Sequence, residues 1–241
     1  GYIDKAVSLG ITSVSDMTPY LSLDLSFPEV YFEMVSNNEL KIRVNAARNL
    51  FDDLNTFDKI RQKADLEGKG FYRVPYMKQF IDGTPANFTG MLLEDYSDNP
   101  GERGKATIDL DKMASAIETA TENNVSVRLH SCGDRSCREA LNAYENALKK
   151  FPETESRHMV EHLEVVDPAD IPRFGQLGVI CSIQPEHLAA GTMKWTENCY
   201  PEKLGPVREK FTWPFKKLRD GGAEVEQELG AGLAYELALS R

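Results

Sequence analysis

Short β-branched segments alternating with longer amphipathic ones are the feature that most narrows what this chain can fold into. Ile11-Thr12-Ser13-Val14-Ser15 and Lys41-Ile42-Arg43-Val44-Asn45 read as strands, the second by its period-two alternation of apolar and polar residues. Residues 72–81, which end at the turn Asp82-Gly83, and 125–130 continue the series, followed by 158–166, 179–183 and the start of another strand at Gly222-Ala223-Glu224-Val225. Helices are expected over 29–38, 109–123, 135–150 and 168–177. In the second of these Met113, Ala116, Ile117 and Ala120 share one face. Such alternation implies a parallel sheet with helical crossovers. Six full units and a partial seventh fit an α/β fold of the (β/α)8 TIM-barrel type better than an open doubly wound sheet. No glycine-rich phosphate loop follows the first strand, which weakens the doubly wound alternative further.

Composition excludes several classes of function. Lys plus Arg is 28 against 38 acids, a net charge of −10 that repels phosphate backbones, so no nucleic-acid partner is expected. The longest apolar runs are a few residues, far short of the ~20 that cross a bilayer, so no membrane partner is expected either. No basic start followed by an apolar stretch appears at Gly1, and no signal peptide is read there. Cys132, Cys137, Cys181 and Cys199 are too few for a disulfide scaffold and read as reduced thiols in a cytoplasmic protein.

The candidate chemistry lies at strand ends. Of the four histidines, His130 and His162 end or nearly end expected strands, and the ends of barrel strands converge on one mouth where both imidazoles could share a metal. His158-Met159-Val160-Glu161-His162 also matches H-x-x-E-H, a zinc-protease pattern that needs both histidines on one helical face, yet it occupies a strand slot. Lys78 lies within the third strand, where an amine turned into the mouth can be carboxylated and bridge metals. Cys132 beside His130 offers a nucleophile next to a base, although a buried thiol is the commoner outcome. Residues 84–107, rich in Asn, Asp, Gly and Pro, follow a strand end, where barrel enzymes place substrate loops.

Five blocks then occur in order: Gly10-Ile11-Thr12-Ser13-Val14-Ser15-Asp16-Met17, Lys78-Gln79-Phe80-Ile81-Asp82-Gly83, His130-Ser131-Cys132-Gly133-Asp134-Arg135, Arg157-His158-Met159-Val160-Glu161-His162, and the run from Gly178 to His187. Together they resemble the amidohydrolase superfamily, in the branch of metal-dependent hydrolases that includes N-substituted formamide deformylases. The resemblance implies a barrel that hydrolyses carbon–nitrogen bonds other than peptide bonds by metal-activated water. It implies one or two divalent ions, most simply zinc, with Lys78, His130 and His162 as ligands. Asp82, Gly83 and His187 fall on the substrate side, and Asp134 on the loop beyond His130. A small amide-like molecule is the implied substrate.

Two departures from the family pattern stand out. No two histidines lie two residues apart, so the first-strand ligand pair is missing, and no aspartate follows Gly222-Ala223. The expectation is therefore a barrel lacking its first and eighth strands over residues 1–225. A helical segment unrelated to the family is expected over 226–241. Open edges at 11–14 and 179–183 would then be covered by that segment or by a second copy in a homodimer. A catalytically incomplete or regulatory relative is the alternative these departures imply.

Overall fold

A computed structural model describes residues 1–17, 27–184 and 190–227. Its strands are β1 (Ser13–Asp16), β2 (Arg43–Asn49), β3 (Tyr72–Phe80), β4 (Ser126–Ser131), β5 (Met159–His162), β6 (Ile180–Ile183) and β7 (Val225–Gln227). They pair in chain order, every neighbour parallel. The helices are α1 (Tyr2–Ser8), α2 (Pro28–Ser36), α3 (Leu54–Glu67), α4 (Leu110–Glu122), α5 (Asp134–Lys150), α6 (Ile171–Leu177), α7 (Ala190–Arg208) and α8 (Phe215–Asp220). This is the wall of an incomplete TIM barrel, as the alternation in the sequence implies.

The crossover helices form where the local chemistry directs them. Asp109 caps α4 by accepting from the backbone N–H groups of Asp111 and Lys112. In α5, Asp134 opens the first turn and Lys149 and Lys150 close the last, matching the helix dipole at both ends. Its Cys137, Ala140, Leu141, Tyr144 and Ala147 form the buried stripe, each side chain no more than 1% exposed. Tyr144 Oη donates to the carbonyls of Val127 and Met159, tying α5 to β4 and β5. Gly178, at φ 65°, turns the chain out of α6 toward β6 in a conformation that favours glycine.

Three expectations need correction. The strand expected over 158–166 is only Met159–His162, because His162 and Leu163 take φ values of 76° and 52° that a strand cannot continue through. The partial seventh strand pairs with β6 over Val225–Gln227, so residues 226 and 227, expected to begin a helical segment, are strand. For the same reason residues 179–183 are not an open edge: β6 is flanked by β5 and β7, and among the described residues the outer strands are β1 and β7. His187 and the segment 228–241 lie outside the described residues.

A second, smaller core stands apart from the main one. Leu92, Tyr96, Val165, Tyr200 and Leu204 pack together, drawing on the loop after β3, the loop after β5 and α7. Arg208 fastens this unit by donating to the carbonyls of Glu94 and Asp95 and to Ser97 Oγ. Lys203 lies 3.2 Å from the centre of the Phe88 ring. The loop over 84–107 is thus held against α7 by packing, cation–π contact and hydrogen bonds together.

Candidate metal centre

Register decides which side chains share a level of the barrel. Phe80 pairs with His130, and Lys78 with Arg128 one layer deeper. His130 in turn pairs with Glu161 on β5. Strict alternation would send His162 to the face of Val160, away from His130. The left-handed backbone at His162 redirects it, and its ring lies 4.3 Å from that of His130, at 64° to it. Backbone strain of this kind, worth roughly 1–3 kcal/mol, persists where the surrounding structure over-determines it, often at functional sites.

Both imidazoles have one nitrogen engaged by an oxygen that can only accept. His130 Nε2 lies 3.2 Å from the Gly83 carbonyl, and His162 Nδ1 lies 2.8 Å from Gln184 Oε1. Those protons therefore reside on His130 Nε2 and His162 Nδ1, leaving His130 Nδ1 and His162 Nε2 as lone-pair nitrogens. Two adjacent imidazoles oriented in this way fit the donor chemistry of a divalent transition metal.

Lys78 is 2% exposed, its amine 5.1 Å from the centre of the Phe80 ring. It belongs to a buried charge network beneath the histidines. Burial works to raise the Glu161 carboxyl, but the charges of Lys78 and Arg128 and a hydrogen bond from Ser182 outweigh it and hold Glu161 below the ordinary carboxylate range. Arg128 Nη1 is 3.2 Å and Ser182 Oγ 2.6 Å from that carboxylate.

The remaining residues singled out in the sequence take other places. Asp82 is 1% exposed, and its Oδ1 lies 3.9 Å from His130 Nε2. Its Oδ1 accepts from Cys132 N, and its Oδ2 from Met91 N, Gly133 N and Ser136 Oγ. Burial pushes its carboxyl up to about 7, against those four donors. Asp82 therefore braces the start of α5 and the loop after β3. Gly83 uses its carbonyl to orient His130. Asp134 accepts from Leu93 N and pins the same loop. Asp82, His130 and Cys132 do offer ligand atoms within 4.8 Å of one another, but Asp82 already accepts at both oxygens. A cavity of about 930 Å³ beside Tyr96, Arg103 and Arg208 has none of Lys78, His130 or His162 in its lining.

Two rival chemistries fall away. The H-x-x-E-H segment is a strand and its approach, not a helix, and His158 faces the outer layer. There His158 stacks on Tyr144 with ring centres 4.6 Å apart, accepts from Val127 N and lies 3.1 Å from Thr121 Oγ1. Cys132 is 1% exposed, and burial pushes its thiol well up, the opposite of an activated nucleophile. The sequence alone assigns no role to Glu161 or Gln184. Their one signal is position, beside an assigned histidine and just past a strand end.

A family model described as the amidohydrolase family matches residues 2–225. The chain belongs to the amidohydrolase family. It is 28% identical over 229 residues to Protein LONG AFTER FAR-RED 3 of Arabidopsis thaliana, covering 90% of this chain and 38% of that protein. An uncharacterized metal-dependent hydrolase from Pyrococcus horikoshii OT3 superposes with a TM-score of 0.73 at 24% identity, over 94% of this chain and 42% of that one. Its counterpart from Pyrococcus furiosus gives 0.74 at 24% identity, over 99% and 48%. These superpositions establish the fold. The amidohydrolase chain described here spans less than half the length of each of these relatives.

Proposed function

We propose that this amidohydrolase-family chain is part of a metal-dependent hydrolase acting on amide-like carbon–nitrogen bonds of small molecules. The observation that carries the reading is the pair His130 and His162, oriented through Gly83 and Gln184 so that each presents a lone-pair nitrogen. In this reading His130 and His162 hold a divalent ion, zinc being the simplest choice, and Lys78 joins them once its amine is deprotonated or carboxylated. The chemistry such an ion supplies is acidification of a bound water and polarisation of a substrate carbonyl. Glu161, held deprotonated, balances the charge of Arg128 beneath the site. The loop over 84–107, fixed on α7, follows the strand that carries Lys78, and His187 is assigned to the substrate side. All four cysteines are free, which supports a cytoplasmic location, and among the described residues no helix is long and apolar enough to cross a membrane.

The test is elemental analysis of the purified chain beside its His130→Ala variant. Loss of one imidazole from a three-ligand site is expected to cut retained divalent metal at least tenfold. Equal metal in both proteins would refute the reading. A second reading is a catalytically incomplete or regulatory relative of the same family. It predicts metal binding without turnover of amide substrates. A homodimer meeting at the outer edge of β1 is the assembly proposed with either reading, and sedimentation across a dilution series tests it.

A further inference from the structure

The cavity of about 930 Å³ beside the second core is walled by charges of both signs, three arginines and four carboxylates. Most of these charges are already matched. Asp95 accepts from Arg103 Nε and Gly101 N, and Asp134 from Leu93 N. Asp167 lies 3.4 Å from Arg138 Nη2 and accepts from Ala169 N. Two charges are left over. Arg208, 8% exposed, donates to the carbonyls of Leu204, Glu94 and Asp95 and to Ser97 Oγ, yet no carboxylate of the described residues is ion-paired with it. Asp95 and Asp134 feel its charge without accepting a bond from it. Burying a charge costs free energy that a counter-ion offsets, and Arg208 has only neutral oxygens. The second is Glu94, exposed on the lining, whose carboxylate takes no hydrogen bond or ion pair among the described residues. A kink in α7 shapes this wall. Gly205, at φ 71° and ψ 171°, lies so close to Ser97 that a Cβ there would be 2.7 Å from its Oγ. Past the kink, Arg208 reaches the 94–97 strip, while Val207, 66% exposed, lines the cavity with Pro206 and Phe211.

We propose that this cavity is a binding site, separate from the metal centre, for a dipolar small molecule of the dipeptide kind. Its carboxylate supplies the counter-ion that Arg208 lacks and meets the Nη2 edge of Arg103, whose side chain is 53% exposed. Its ammonium faces Glu94, and an apolar side chain covers Val207. A simple anion would meet the four carboxylates and a simple cation the three guanidinium groups. A molecule carrying both charges satisfies Arg208 and Glu94 at once. The volume lies in the range of sites that enclose ligands larger than a single amino acid. Because the walls come from the loop over 84–107, α5 and α7, an occupant fastens that loop to both helices. The proposal does not depend on the metal-centre reading, since Lys78, His130 and His162 take no part in the lining.

The experiment is calorimetric titration of the full chain with the dipeptide alanyl-leucine, with EDTA present so that no turnover intervenes. Wild type is compared with Val207→Asp, Glu94→Gln and His130→Ala. Val207 and Glu94 are exposed, and neither side chain holds another element in place, so both cavity variants are expected to fold. Wild type and His130→Ala should bind equally, with a Kd of about 1 mM or tighter. Val207→Asp, which sets a negative charge beside the ligand carboxylate, should bind at least tenfold more weakly. Glu94→Gln should lose about threefold, the range of an exposed ion pair. N-acetyl-alanyl-leucine, which has no ammonium, should also lose about threefold, and alanyl-leucinamide, which has no carboxylate, at least tenfold. Absence of binding to wild type would overturn the proposal, as would equal affinity in both cavity variants or equal binding of the amide. Loss of binding in His130→Ala alone would place the ligand at the metal centre and overturn it too. Metal retention by the same His130→Ala protein tests the metal reading separately, so either can fail without the other.

Discussion

His158 gives the fold a dependence on pH whose sign and size follow from its surroundings. Val127 N donates to Nδ1, so the proton sits on Nε2, which donates to Thr121 Oγ1; the Thr121 hydroxyl passes its own proton to Ile117 O. Every polar atom of the ring is matched only while the ring is neutral. Burial lowers the imidazole from the ordinary 6.5 to about 4. The unfolded chain therefore takes up a proton below about pH 6.5 that the folded chain refuses. Stability is complete above that value and is lost as the pH falls through about 4, a total of about 3 kcal/mol. Between about pH 8 and pH 5.5 the loss is about 1 kcal/mol. Asp82 works in the opposite direction over the same range, since a carboxyl raised to about 7 takes up its proton in the folded chain first. The quantity to measure is therefore the difference between wild type and His158→Asn, whose amide oxygen can still accept from Val127 N. Urea denaturation at the two pH values should show wild type losing about 1 kcal/mol more than the variant. Parallel losses in the two proteins would refute the argument.

Other consequences are open to the same kind of measurement. A Cβ on Gly133 would lie 2.1 Å from the Met91 carbonyl oxygen, so Gly133→Ala should force the 84–107 loop away from α5. It should cost about 2 kcal/mol or more in denaturation and speed proteolysis within that loop. Asp82→Asn turns an amide NH2 toward backbone donors that now meet a carboxylate oxygen, and bonds to a charged acceptor are worth roughly 1.5–3 kcal/mol each. We expect a stability loss of about 2–4 kcal/mol at pH 8, with the same loop the first segment to become cleavable.

The alternation of apolar segments was enough to specify a parallel sheet with outer helices, because burial periodicity is a local property that the chain carries residue by residue. The strands containing Lys78, His130 and Ile180 were legible in this way. The blocks of resemblance also placed the two histidines at neighbouring strand ends. The route His162 takes to His130 was not legible. Alternation assigns His162 to the outer face with Val160, and only the left-handed backbone at His162 and Leu163 overrides it. Nor could the sequence separate His158 from His162, two histidines of one motif. One became a neutral, fully hydrogen-bonded core residue and the other a candidate ligand, through contacts with Thr121 and Gln184 that come from distant parts of the chain. Asp82 shows the same division. Its place after a strand was readable, but the four donors that occupy it come from residues 91, 132, 133 and 136, which only the closed fold brings together. Periodicity selected the layers because it acts within one segment. The roles of individual polar residues waited on tertiary structure, because hydrogen-bond partners and burial are set between segments.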